Sequence, residues 1–218
     1  MCGRFSEVKS QQELEYYYQA KFRAQYNGPS FNVGPAQNAP VVTSEGIEMM
    51  RWGLVPAWAK SLNTGYSMIN SRAETLFEKP TFKKPAIEGR CLIPATGYYE
   101  WKKVGDEKTP YYYTLKDREL FSFAGIYITR PDAEGKDFKT FSIITCEPNA
   151  LCAEVHDRMP VILSHDEEKQ WLDPDMTRPE RIAEFLDAYP AEAMDTWVVD
   201  KWVGNIRNND AKLVERVG

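Results

Sequence analysis

The second residue of the chain is a cysteine, directly behind Met1. Loss of the methionine, which the small side chain at position 2 favours, leaves an amine and a thiol on adjacent carbons. Such a pair condenses with aldehydes: the amine gives an imine, and the thiol closes on the imine carbon to form a thiazolidine. The same two groups also make a nucleophile with its own base, as in N-terminal-nucleophile amidases. A third reading gives Cys2 no chemistry and treats it as a small apolar residue near a chain end. If Met1 is retained, the nitrogen of Cys2 is an amide and the aldehyde chemistry is closed.

Imidazole acid-base groups are few, because His156 and His165 are the two histidines of the chain. His165 lies in Ser164-His165-Asp166-Glu167, whose pattern places it at a solvated helix start. His156 lies in Val155-His156-Asp157-Arg158-Met159-Pro160, a polar cluster between apolar segments that is stopped by proline. Desolvating such a cluster is costly unless its charges are paired or face a pocket. An ion pair between Asp157 and Arg158 and an acid-base role for His156 each meet that requirement. Glu100 is the carboxylate of interest. Strand alternation over Tyr98 to Lys102 sets Tyr99 and Trp101 on one face and Tyr98, Glu100 and Lys102 on the other. Burial among aromatics raises a carboxyl pKa toward neutrality, as proton transfer near pH 7 requires; exposure with pairing to Lys102 is the alternative. Trp52, Trp58 and Tyr98 serve either as core or as stacking platforms for bases.

The bulk numbers narrow the function class. A net charge of −5 argues against a protein that coats nucleic acid through its overall field. A local basic groove stays open, with Arg4, Arg51, Lys60, Arg72, Arg90 and Arg158 as candidates. The four cysteines are expected to be free thiols in a reducing compartment. Cys152 and His156 are one helical turn apart and no CxxC occurs, so neither a metal nor another cofactor is expected. The opening residues lack an apolar signal region and no apolar run reaches membrane length, which leads us to expect a cytoplasmic protein without membrane contact.

The elements that must position these groups follow an α+β pattern within one compact domain spanning residues 1–218. A strand is expected at Cys2 to Phe5, followed by a helix from the capping box Ser10-Gln11-Gln12-Glu13 to about Phe22. Val41 to Thr43 and Ile47 to Leu54 read as paired strands, and Pro56 to Lys60 as a loop carrying Trp58. Ser71-Arg72-Ala73-Glu74 repeats the capping-box spacing and predicts a short helix with Asn70 and Arg72 at its start. A further helix is expected at Pro80 to Ile87. Cys91 to Ile93, Tyr98 to Lys103, Tyr111 to Leu115, Leu120 to Thr129 and Phe138 to Thr145 have the composition of strands. Together they predict a β-barrel-like core with peripheral helices. Ser164 caps a helix through Trp171, Pro179 to Ala188 reads as another, and Thr196 to Val199 as a late strand.

Several of these segments, taken in order, closely resemble the SRAP (SOS response-associated peptidase) family of abasic-site sensors. They are Met1-Cys2-Gly3-Arg4-Phe5, Phe31-Asn32-Val33-Gly34-Pro35, Trp52-Gly53-Leu54-Val55-Pro56-Ala57-Trp58, Ile69-Asn70-Ser71-Arg72-Ala73-Glu74, the run from Arg90 to Lys102, and Val155 to Pro160. The resemblance implies a monomeric domain with a positive groove that holds single-stranded DNA at a bend, with an abasic site beside the N-terminal cysteine. Cys2 would be the covalent residue and Asn70, Glu100 and His156 its partners. Arg4, Arg72 and Arg158 would hold DNA, Trp58 would stack along its path, and Asn205 and Arg207 in the late polar loop would touch it. The family also implies DNA-damage repair, a lyase side activity and a suspected peptidase activity, so a Cys-His or N-terminal-nucleophile hydrolase is the competing reading. Ser71 stands where the family often has alanine.

Overall fold

A computed structural model describes residues 2–59, 61, 68–132 and 134–217. The chain runs β1 (Phe5–Glu7), α1 (Gln11–Tyr18), β2 (Ser30–Val33), β3 (Asn38–Thr43), β4 (Gly46–Trp52), β5 (Asn70–Arg72), α2 (Pro80–Glu88), β6 (Arg90–Ala95), β7 (Gly97–Val104), β8 (Glu107–Leu115) and β9 (Phe121–Pro131). It continues through β10 (Asp137–Cys146), α3 (Ala150–Ala153), β11 (Met159–Pro160), β12 (Ile162–Leu163), α4 (His165–Trp171), α5 (Pro179–Ala183) and β13 (Met194–Val198).

Five strands close on themselves in the order β10, β4, β3, β6, β9, with β9 pairing back to β10, and form a barrel-like core as expected, but not from the strands the sequence pointed to: β6, β9 and β10 are in it, whereas β7 and β8 fall in a second sheet and β3 and β4 take their places. The β4–β10 pairing is parallel and the others antiparallel. Closure depends on Gly125 of β9: a Cβ there would lie 2.1 Å from Ile93 Cδ1 and 3.0 Å from the Ser142 carbonyl oxygen. A second sheet, β13-β8-β7-β1-β2, lies against the barrel. Phe5 of β1 joins the two, its ring 5.2 Å from Trp52 and 5.9 Å from Phe123 in edge contacts. Trp52 is therefore core; it is fully buried and its indole donates to the Ile69 carbonyl at 2.8 Å.

The capping boxes at Ser10 and Ser164 form as expected, each with the reciprocal bond from the third helical residue. Helix α1 stops at Tyr18, short of Phe22, because Gln19 turns left-handed and the next residues bond elsewhere. The Ile47 amide donates to the Lys21 carbonyl and the Arg23 amide to the Ile47 carbonyl, which recruits this segment to the sheet edge. The predicted helix start at Ser71 is overturned. Asn70, Ser71 and Arg72 form strand β5, parallel to β10 with Asn70 opposite Ile143, and only a 3-10 turn at Ala73–Thr75 follows. Helix α5 ends at Ala183 rather than Ala188, and β1 starts at Phe5, so Cys2 lies just ahead of it. Among the described residues no helix is long and apolar enough to cross a membrane.

Candidate functional site

Strand β1 carries Cys2 into the molecule. It lies between β2 and β7, and the backbone is held on the β7 side from both ends: the Tyr99 amide donates to the Arg4 carbonyl at 3.0 Å and the Thr96 amide to the Ser6 carbonyl at 2.8 Å. Cys2 is completely buried as a result. Asn70, brought over by the parallel β5–β10 pairing, donates from Nδ2 to the Cys2 carbonyl at 2.9 Å. Its Oδ1 is buried and accepts no hydrogen bond among the described residues. Burial pushes the Cys2 thiol well above its ordinary range, and the charge of Glu100 pushes it the same way.

Glu100 sits on β7 with its neighbours on the faces that alternation predicts. Tyr98 joins the main core that contains Cys2, whereas Tyr99 joins a smaller one with Tyr112 and Val203. The exposed pairing with Lys102 does not occur: Glu100 is 4% exposed, and burial pushes its carboxyl up to about 7, with Asp157 adding to the rise. A carboxyl at that level exchanges its proton readily near neutral pH.

His156 follows α3, a short helix that ends before it although Cys152 and His156 have helical spacing, and that is capped by Asn149 through the Cys152 amide at 2.9 Å. The Arg158 amide donates to His156 Nδ1 at 3.0 Å, and Asp157 Oδ1 lies 2.9 Å from the same nitrogen. Nδ1 cannot accept from one and donate to the other at once. In the neutral ring it accepts and the proton sits on Nε2; in the imidazolium it turns to Asp157. Burial lowers the imidazole pKa and favours the neutral form.

The expected DNA-binding residues divide. Arg72 is exposed on β5, Trp58 is 67% exposed, and Asn205 and Arg207 are exposed in the late loop. Trp58 lines a groove of about 600 Å³ with Pro56, Pro80, Lys84, Pro85 and Tyr127, and Cys2 is not part of that lining. Arg158 is a correction. It is buried and forked onto Glu74 at 2.6 and 2.9 Å, with a further bond to the Thr145 carbonyl at 2.7 Å, so its two terminal nitrogens brace β10 and the turn after β5, while its Nε finds no partner among the described residues. It pairs with neither Asp157 nor open solvent. Arg90 is likewise structural, donating to carbonyls of Ala86, Ile87, Trp171 and Asp173. Arg51 lines a cavity with Glu45 and Glu48, and Lys60 lies outside the described residues. Arg4 is half-buried, bonded to Asn32 Oδ1 at 2.7 Å and the Val203 carbonyl at 2.9 Å.

Asn32 lies in one of the motif segments, where motif reading assigns it no role. Its Nδ2 reaches the carbonyls of Val203, Asn205 and Asn208 at 3.2, 3.1 and 2.9 Å, and with Arg4 it ties the late loop to the strand that follows Cys2. Its signal was an asparagine between Phe31 and Val33 in a strand, where a polar amide needs a reason. All four cysteines are free, and among the described residues no group of three or more potential ligands is placed to hold a metal.

A small barrel flanked by a second sheet, which buries a near-terminal cysteine beside a carboxyl poised near neutrality, defines one class of protein. The chain belongs to the SOS response associated peptidase (SRAP) family, whose profile matches residues 1–206. Among its relatives are the abasic site processing protein YoqW of Bacillus subtilis (strain 168), 42% identical over 223 residues and covering 99% of both chains. A second is the abasic site processing protein YedK of Escherichia coli (strain K12), 28% identical over 233 residues and covering 100% of both. A crystal structure of a protein from Bacteroides thetaiotaomicron superposes with a TM-score of 0.91 at 32% identity, over 99% of this chain and 100% of that one.

Proposed function

We propose that this chain processes abasic sites in single-stranded DNA by joining the exposed sugar aldehyde covalently to Cys2 once Met1 is removed. The observation that carries this reading is the burial of Cys2 with Asn70, which holds its carbonyl, and with Glu100, whose carboxyl burial pushes up to about 7. The relatives are named as abasic site processing proteins, and that role matches what a paired amine and thiol do best.

An abasic deoxyribose is mostly a closed hemiacetal, so the ring must first be opened by proton transfer. Glu100 is suited to that exchange. The Cys2 amine then adds to C1′ and water leaves, giving the imine; an α-amine has an ordinary pKa of about 8, so a free-base fraction exists at neutral pH. With the thiol pushed up by burial, thiolate is scarce and the amine acts first. The thiol then adds across the C=N bond, its proton passing by way of Glu100 to the nitrogen, and the thiazolidine closes. Asn70 Oδ1 offers an acceptor to the incoming sugar or the amine. Neutral His156 relays protons during ring opening, and the lyase side reaction, elimination of the 3′ phosphate from the imine, requires its Nδ1 to leave the Arg158 amide and act as the base. Arg72, Arg4, Arg207, Asn205 and Trp58 supply phosphate and stacking contacts that need no base to read.

A Cys-His peptidase is less well served. Such an enzyme needs the imidazole on the thiol, yet Cys2 Sγ points to the Arg4 carbonyl at 4.0 Å. The test is incubation of protein shown by intact mass to lack Met1 with an abasic oligonucleotide, followed by denaturing electrophoresis. A shifted band is expected, and it should vanish in Cys2→Ala while DNA binding persists. Absence of the band from Met1-free wild type overturns the proposal.

A further inference from the structure

Glu100 and His156 lie on separate elements, β7 and the segment after α3, and a buried polar contact joins the two. Tyr98 is two residues before Glu100 and therefore shares its face of β7. Its hydroxyl is 3.1 Å from Cys152 Sγ, within hydrogen-bond reach for a sulfur partner, and both residues are buried. Cys152 in turn holds the His156 segment, since the Val155 and His156 amides both donate to its carbonyl at 3.0 Å. Asn149 fixes Cys152 from the other side through its amide. The Tyr98 ring has little freedom to adjust, stacked on Tyr113 at 4.8 Å and 11° and edge-on to Phe123 at 6.0 Å.

We propose that Tyr98 and Cys152 form a positioning pair that sets Glu100 of β7 against the His156 segment, so that the two proton-transfer groups act on one sugar. This rests on the function proposed above. Neither residue is a catalytic group in this account. The pair replaces a backbone connection that the topology does not supply, because β7 belongs to the second sheet and α3 follows the barrel strand β10. A buried hydroxyl without its partner is costly, and so is a proton-transfer group displaced by a fraction of an ångström.

The test uses Met1-free full-length protein with Tyr98→Phe, which keeps the stacked ring, together with Cys152→Ala, the double variant and Cys152→Ser, which keeps a hydroxyl. Single-turnover adduct formation at saturating abasic DNA should slow about tenfold in each of Tyr98→Phe and Cys152→Ala, with affinity for DNA within about twofold. The double variant should be no slower than either alone, and Cys152→Ser should recover most of the rate. Effects that multiply in the double variant, an unchanged rate in Tyr98→Phe, or a Cys152→Ser as slow as Cys152→Ala would overturn the pair. A second readout needs no DNA: the His156 ring, which faces Asp157 and the Arg158 amide, is titrated by NMR. Its midpoint should rise in Tyr98→Phe as the segment loosens and the ring gains water. If wild type forms no adduct, the functional proposal fails by itself, and an unmoved His156 midpoint then refutes the positioning pair separately.

Discussion

Glu100→Gln should make the protein more stable above neutral pH while disabling its chemistry. Burial holds the Glu100 carboxyl up to about 7 against an ordinary 4.5. The folded state therefore binds this proton more tightly than the unfolded chain. The sign follows: the stabilising contribution is fully present below about pH 4.5, is lost as pH rises toward about 7, and stays lost above it. At about 1.4 kcal/mol for each tenfold, that span corresponds to roughly 3 kcal/mol of penalty for keeping a charge in the interior. Glutamine has nearly the same shape and never ionises. Guanidinium unfolding of wild type and Glu100→Gln should thus give nearly equal stabilities near about pH 4.5 and a variant more stable by about 3 kcal/mol at about pH 8.5. Glu7, also buried and pushed up to about 7, is present in both proteins, so its pH dependence cancels in the difference. In parallel, adduct formation should slow by about a hundredfold. A stability difference that does not change with pH would mean that Glu100 ionises as an exposed carboxyl does, and the acid-base reasoning would fall with it.

Glu74→Gln takes the anion from the Arg158 fork; with Glu74 itself half exposed, the loss should be about 2 kcal/mol, and a thermal midpoint equal to wild type would show that Arg158 needs no counter-charge. Binding of single-stranded DNA should weaken steeply with salt, and Arg72→Ala should flatten the log-log slope by about 0.7, the value of one phosphate contact. An unaltered slope would remove Arg72 from the interface. Asn32→Ala leaves the Arg4 guanidinium and three loop carbonyls short of a partner; amide exchange over residues 203–209 should quicken and stability drop by about 2 kcal/mol. Unchanged exchange would show that the loop holds itself.

Local chemistry wrote much of this fold into the sequence, and distant pairing wrote the rest. The boxes at Ser10 and Ser164 are read within four residues, and both form. The same spacing at Ser71 misleads, because β10 recruits Asn70 to Arg72 as a strand and Arg158, far along the chain, engages Glu74. Nothing near Ser71 signals either event. Alternation placed Tyr98 and Glu100 on one face, but the burial that lifts the Glu100 carboxyl is supplied by other elements, so strand statistics favoured a solvated pairing with Lys102 that does not form. Cys2 and Asn70 come together through a carbonyl contact across 68 residues. That meeting follows from topology, which spacing does not encode. The role of Arg158 was missed for the same reason, and the link through Asn32 crosses most of the chain.

The placement of β1 between two neighbours has a mechanical consequence. A short segment laddered on both sides, with Phe5 wedged between Trp52 and Phe123, resists traction along its length by loading several bonds in parallel rather than peeling them one by one. On the proposed chemistry, a nucleic acid fastened at Cys2 is moored to the interior of the protein and not to a loose tail. Tugging on the polymer would strain the whole body before it freed the anchor, so dissolving the bond in place is an easier exit than tearing it out.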